Sequence, residues 1–440
     1  MTTTELRLSA AFDLGLVPSC GGSVRHLLCR LSAVGAEAER DRRKPLNLAL
    51  VIDASGSMAG GRLEAAKRAA LGVLDRLGPG DRLSVVSFAS DVEVHLDGVA
   101  IDAGARQLAR REIGRLDTRG MTNLSEGWFT GAECAARVQD AAPGLMPRVI
   151  ILSDGHANEG ITGRGDLAEH AAELRARGVI TSALGIGDGY DEELLAALAE
   201  NGGGRMHDAE LDAEIETVLL GELGEAAATL VEDATLALDL PACVRAEPFG
   251  SQNFRQRGNR LTVPLGAIVA GGTRVLAIRL HCPPGEEGAR LDLTLGATGR
   301  DARTGQTLEA ASVALRLRVV DPLAAEMRGH DTEVAVAVAR AWQGHVLRRM
   351  AALNRERAHR EAEAYLRDEI RRFASYVRGL EGTERLLREL ELMQREVHEE
   401  WSPRVRKEMA LHAAKLREGS VDHRGPAKAA WSAHMASRPR

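Results

Sequence analysis

Three short stretches carry oxygen donors at positions where chemistry is expected. In LNLALVIDASGSMAG (46–60) an almost continuous apolar run ends at Asp53, and Ser55 and Ser57 follow at alternate positions. Alternate residues of an extended segment point the same way, so these three side chains can converge. Gly56 and Gly60 let the segment turn tightly. Asp154, in IILSDGHAN, ends a second apolar run, and Thr122, in RGMTNLSEG, precedes a helical stretch. Two carboxylates and three hydroxyls make a hard, anionic, all-oxygen set. Such a set suits an octahedral Mg2+ or Mn2+ that keeps some water, rather than zinc or a softer metal. Hydroxyls bind without adding charge, so the ion retains Lewis acidity and can offer an open position to a carboxylate from another molecule. A single Asp after a strand is ordinarily a cap or turn residue. Five such groups, each at a strand end or before a helix, are hard to explain that way.

The elements that must position them follow from periodicity. From 46 to about 224, apolar strands alternate with amphipathic helices. The strands are LNLALVID, RLSVVSFAS paired with VEVHL, PRVIILSDG, VITSALGIG and RMHD. The helices are GRLEAAKRAALGVLDRLG, 103–115, 124–138, 166–177, DEELLAALAENGGG with Asp191 as N-cap, and 211–223. Apolar strands separated by helices call for a mostly parallel sheet covered on both faces. Ligand sites in such sheets lie beyond the carboxyl ends of the strands, where Asp53 and Asp154 stand. From 225 to 321 the period becomes two, in TLALDL, RLTVPL, TRVLAIRLHC, ARLDLTL and SVALRLRVV, which predicts an antiparallel sandwich. ELRLSAAFDLGL and SVRHLLCRLSA, before residue 41, have the same character and are expected to join that sandwich.

After Pro322 a helical period takes over, through Leu366, Ile370, Phe373, Val377 and Leu380, then Leu386, Leu390, Met393 and Val397. Ser402-Pro403 opens a further helix that Gly419 stops. The expected organisation is thus α/β: a doubly wound, mostly parallel sheet (42–224) inserted in a β-sandwich (1–41 and 225–321). A helical hairpin or bundle (322–418) and a polar, mobile tail (419–440) complete it.

Composition narrows the function classes. The 440 residues are 44% hydrophobic and 27% charged, which is globular rather than disordered. The net charge of −6 is uneven, with the basic excess after Pro322. There it is mixed with acids at helical spacing, as on a solvated helix face, so nucleic acid is not an expected partner. No run approaches a membrane span, and the N-terminus lacks the pattern of a secretory leader. Five scattered cysteines without a C-x-x-C pair point to reduced thiols and a cytoplasmic location.

DASGS (53–57), Thr122 in GMTN and Asp154 in SDG together resemble the metal-ion-dependent adhesion site of von Willebrand factor type A (vWA) domains. The resemblance covers about 46–224. GPGDRLSVVSFAS, ALGIGDGYDEELL and AENGGGRMH are similar to the family as well and are read as structural. The whole layout resembles bacterial vWA proteins related to the inter-alpha-trypsin inhibitor heavy chains. The resemblance implies that Ser55, Ser57 and Thr122 touch the metal, that Asp53 and Asp154 hold it directly or through water, and that a protein partner supplies an Asp or Glu. It also implies an adaptor or scaffold beside an AAA+ ATPase or a kinase/phosphatase system. Met58, Arg119, Met121 and His156 lie in the same loops and are expected to contact the partner, Arg119 favouring an acidic surface. A Mg2+-dependent phosphatase is the enzymatic alternative. It wants a second acid two residues after the nucleophilic Asp, where this chain has Ser55. A third reading is a scaffold that binds through its helices and carries a vestigial metal site.

Overall fold

The computed structural model describes residues 4–20, 23–35, 45–141, 145–154, 157–187, 190–209, 212–250, 254–395 and 401. They divide into two compact units, one taking in Gly35–Glu232 and Asp301–Gln306, the other the rest. The chain opens with β1 (Glu5–Phe12), β2 (Leu16–Pro18) and β3 (Ser23–Val34), then enters the α/β unit. Its strands are β4 (Leu46–Asp53), β5 (Arg82–Phe88), β6 (Val92–Ala100), β7 (Met146–Ser153), β8 (Ile180–Ile186) and β9 (Gly203–Ala209). Its helices are α1 (Arg62–Arg76), α2 (Ala103–Gly114), α3 (Leu124–Ala141), α4 (Arg164–Ala176), α5 (Glu192–Asn201) and α6 (Asp212–Ala228).

The sheet runs β6-β5-β4-β7-β8-β9, and only the edge strand β6 is antiparallel to its neighbour. Every residue of β4 is buried, which explains its almost wholly apolar sequence. Leu46, Leu48, Leu50 and Ile52 enter the core beneath α1, α2 and α6. Ala49 and Val51 face the opposite core, against α3, α4 and α5. Asn47, near the amino end, is buried too and donates its side-chain amide to Ala135 O at 2.6 Å, while Asp53 stands at the carboxyl end. Asp191 caps α5 as the sequence suggests, accepting from the N–H groups of Glu193 and Leu194. Helix α6 runs past Leu223 to Ala228 and leads directly into the next strand. Its expected first residue, Leu211, lies outside the described residues.

The second unit continues with β10 (Thr229–Asp239), β11 (Arg245–Pro248), β12 (Arg255–Arg257), β13 (Arg260–Val269), β14 (Thr273–Cys282), β15 (Arg290–Asp301), β16 (Thr307–Glu309) and β17 (Val313–Val320). One sheet has the order β1-β3-β14-β11 and the other β12-β13-β10-β15-β17-β2, with β16 beside β15. The N-terminal strands do join the sandwich: β3 lies between β1 and β14, and Leu27, Cys29, Leu236 and Leu295 share one core.

The helices are α7 (Pro322–Glu326), α8 (Thr332–Arg355), α9 (His359–Tyr376) and α10 (Glu384–Arg395). They share a core with the sandwich: Trp342, Met350 and Phe373 pack with Leu28, Phe249 and Ala277. A buried ion pair crosses this contact, Arg279 Nη2 of β14 to Glu369 Oε2 of α9 at 2.9 Å. Trp342 Nε1 donates to the same carboxylate at 2.5 Å. Leu390 and Met393 of α10 and Trp401 complete the same core. The helix expected after Ser402 and the tail from Gly419 lie outside the described residues. All five cysteines are free, and no described helix is long and apolar enough to cross a membrane.

Candidate metal centre

The site is built where β4 and β7, paired in parallel, end together. Asp53 is fully buried. Its Oδ1 accepts from the Ser55 N–H at 2.8 Å and its Oδ2 from the Ser153 hydroxyl at 2.6 Å. Burial raises the pKa of the Asp53 carboxyl, opposed by these bonds from Ser153 and Ser55 and reinforced by the nearby negative Asp154. After Asp53 the chain makes a single 3-10 turn, Gly56–Met58, before α1 starts at Arg62. Gly61, at φ +110°, makes that sharp re-entry in a backbone conformation that side-chain-bearing residues rarely adopt.

The turn brings the hydroxyls to the second acid. Ser55 Oγ and Ser57 Oγ lie 2.9 Å apart, and Ser57 Oγ donates to Asp154 Oδ1 at 2.7 Å. Thr122 is buried in the loop between α2 and α3, and that loop is tied to both others. The Gly56 N–H donates to Gly120 O at 3.2 Å and the Arg119 N–H to Ala54 O at 2.6 Å. The Asn158 side chain accepts from the Thr122 N–H at 2.9 Å, while the N–H groups of Asn158 and Glu159 donate to Thr122 O at 3.1 and 3.2 Å. The structure thus joins Ser55, Ser57 and Asp154 directly, sets Asp53 behind them, and clasps the Thr122 loop between the Asp53 and Asp154 loops.

Three residues of this arrangement were not singled out from the sequence. Ser153 precedes Asp154 and anchors Asp53. Asn158 holds the Thr122 backbone. Arg62 Nη1 donates to Asp154 Oδ2 at 2.6 Å and to Ser57 O at 3.3 Å. A basic residue just after the serine turn was visible in GGRLEAAK; Asn158 offered no local signal.

The expected rim residues divide. Met58 is a correction: it is 0% exposed and packs in the core with Leu50 and Leu74, so it cannot meet a partner. A methionine two residues beyond Gly56 reads as loop surface only until the 3-10 turn points it inward. Arg119 is mostly engaged within the domain, its Nε to Asp91 Oδ1 at 2.8 Å and its Nη2 to Ser87 Oγ at 3.0 Å. It fastens the Thr122 loop to the β5–β6 end. Met121, in contrast, is 50% exposed. His156 lies outside the described residues.

Residues 47–219 match the family model of the von Willebrand factor type A domain. This part of the chain is a vWA domain. The chain is 32% identical over 264 residues to the uncharacterized protein sll0103 of Synechocystis sp., covering 57% of this chain and 60% of that one. To the inter-alpha-trypsin inhibitor heavy chain H1 of Sus scrofa it is 28% identical over 223 residues, 49% of this chain and 24% of that one. It therefore spans less than two thirds of either relative. A solved von Willebrand factor type A protein from Catenulispora acidiphila shares the fold over 88% of this chain and 90% of its own, with a TM-score of 0.66 at 19% identity. The ArnB paralog VWA2 from Sulfolobus acidocaldarius does so over 95% and 100%, with a TM-score of 0.60 at 15% identity.

The vWA domain's donors fit a hard divalent ion. The Ser55 and Ser57 hydroxyls meet the Asp154 carboxylate, all oxygen donors, and hydrogen bonds tie the loops of Asp53 and Thr122 to them. No group of three or more His, Cys, Asp or Glu side chains suited to a metal occurs among the described residues. An ion here would be held by Ser55, Ser57, Thr122 and the two aspartates, completed by water.

Proposed function

We propose that the vWA domain binds Mg2+ or Mn2+ through Asp53, Ser55, Ser57, Thr122 and Asp154, and through the ion captures an Asp or Glu of a protein partner. The chain would then act as an adaptor or scaffold in a multiprotein assembly, with an AAA+ ATPase or a kinase/phosphatase component as the partner class. The observation that carries this reading is the continuous chain of oxygens from Ser55 through Ser57 to Asp154, with Asp53 fixed behind it. When bound, the ion would supply a Lewis-acidic position for the partner's carboxylate. The protein's own share is to hold the hydroxyls in place and to keep Asp53 out of water. Met121, exposed beside Thr122, is the one proposed rim contact that offers free apolar surface. A binding role suits the site better than hydrolysis, because Ser55 stands where a phosphatase would carry its acid/base carboxylate. The reading places the chain in the cytoplasm, where its free thiols stay reduced.

The test is affinity purification of partners with the full chain in Mg2+, in EDTA, and with Asp53→Ala. Partners retained in Mg2+ and lost in both other conditions support the reading. Retention in all three would favour a scaffold that binds through its helices.

A further inference from the structure

We propose that Arg62 increases the cooperativity of cation and carboxylate binding at this centre, by neutralising one of its two acids. The inference rests on the reading of the site as a cation centre. Arg62 opens α1, directly after the serine turn. Its Nη1 bonds both Asp154 Oδ2 and Ser57 O, at 2.6 and 3.3 Å. Asp154 therefore divides its oxygens, Oδ1 to the Ser57 hydroxyl and Oδ2 to the guanidinium. The Asp154 side chain is fully buried, whereas that of Arg62 is 40% exposed. Gly187 backs the guanidinium: a Cβ there would lie 3.3 Å from Arg62 Nε. Arg62 thus closes one side of a carboxylate shielded from solvent, while its own side chain stays partly in water.

The charges decide what this arrangement does. Asp53 and Asp154 ionised carry two negative charges, and Arg62 offsets one. A divalent ion would neutralise two bare carboxylates completely. Beside Arg62 it leaves a surplus positive charge, and the guanidinium repels it where solvent screening is weak. The ion alone is therefore held more weakly than its ligands would allow. A monocarboxylate removes the surplus, and the partly exposed guanidinium can also bond it, since the planar fork of Arg matches a carboxylate. Each ligand strengthens the other, as linkage requires. Arg62 shifts the site away from holding the ion alone and towards holding ion and acid together.

The experiment uses the full chain and Mn2+ calorimetry, with and without excess capped glutamate (N-acetylglutamate amide) as the acid probe. Wild type is compared with Arg62→Gln, Arg62→Ala, Arg62→Lys and Asp154→Asn, with thermal unfolding as the check on folding. Arg62→Gln and Arg62→Ala are expected to bind Mn2+ alone about tenfold more tightly, within the usual range of coupling between sites. The tightening of Mn2+ by the glutamate probe, severalfold in wild type, should shrink in both neutral variants to the part that direct coordination of the probe by the ion supplies, while Arg62→Lys should keep more of it. Arg62→Lys, which keeps the charge, should bind Mn2+ as weakly as wild type. A merely structural arginine would give weaker Mn2+ binding when replaced. Equal or weaker binding by both neutral variants, with wild type binding and Asp154→Asn not, would overturn the proposal alone. Absence of Mn2+ binding to wild type would overturn the cation reading itself, and this proposal with it.

Discussion

Asp53→Asn separates a cation centre from an acid that serves only the fold. The Asp53 carboxylate accepts two bonds, from the Ser55 N–H and the Ser153 hydroxyl, and is fully buried. Asparagine has nearly the same shape. Its oxygen can go on accepting from Ser55 while its amide donates to Ser153 Oγ, whose proton rotates away. Packing is unchanged, one bond is kept and the other reversed. Because burial raises the Asp53 pKa, the charge costs stability in the metal-free protein, and the amide removes that cost. Metal-free Asp53→Asn should therefore unfold at or above the temperature of metal-free wild type. Wild type at Mg2+ a hundredfold above its dissociation constant should gain about 2.7 kcal/mol. For a unit of this size that is about 5–11 °C in unfolding temperature. The variant should gain about none. The assay is thermal unfolding by circular dichroism in EDTA and across a Mg2+ series. An Asp53→Asn protein that gains as much from Mg2+ as wild type would refute the reasoning. So would one that loses more than about 3 kcal/mol in EDTA, since a lone lost bond accounts for no more.

Met58→Ala should cost about 2–4 kcal/mol in urea denaturation, because the side chain is fully buried, whereas Met121→Ala should stay within about 0.5 kcal/mol. Asn158→Ala deprives the buried Thr122 amide of its acceptor. It should weaken Mn2+ binding about 10–100-fold by calorimetry, as loss of a supporting bond behind a metal ligand does; unchanged affinity would remove Asn158 from the site. The sandwich unit should lose stability on acidification, for two reasons of the same sign. Burial lowers the His26 pKa, so below the ordinary histidine range the unfolded chain takes up a proton that the folded chain refuses. Burial alone would raise the Asp13 pKa, but its bonds to His26 and His330 prevail and lower it, so its share is lost further down, as pH falls below the ordinary carboxylate range. Urea midpoints from pH 7 to pH 5 should fall in wild type and fall less in His26→Gln, since His281 and His345, also lowered by burial, keep part of the slope; a flat wild-type profile would contradict this.

Sequence alone determined the α/β unit and its oxygen donors. β4 is buried on both faces, so its run is almost wholly apolar, and the acid that closes it stands at a strand end where parallel sheets bind ligands. The strand period of two and the helical period beyond Pro322 were equally legible, because each reflects one solvated face. Tertiary structure decided what no local pattern encodes. The direction of a side chain in a one-turn loop depends on which core it meets, so Met58 turned inward while Met121 stayed out. Arg119 reads as a contact for an acidic partner, yet Asp91 and Ser87, brought beside it by the β5–β6 pairing, engage it. Arg62 and Asp154 lie far apart in the chain, and only the convergence of loops at one sheet end makes them an ion pair. The helices shared a core with the sandwich because Trp342 and Phe373 needed the surface of Leu28 and Ala277 to leave water. Periodicity reports whether a residue is buried; it carries no record of the partner that buries it.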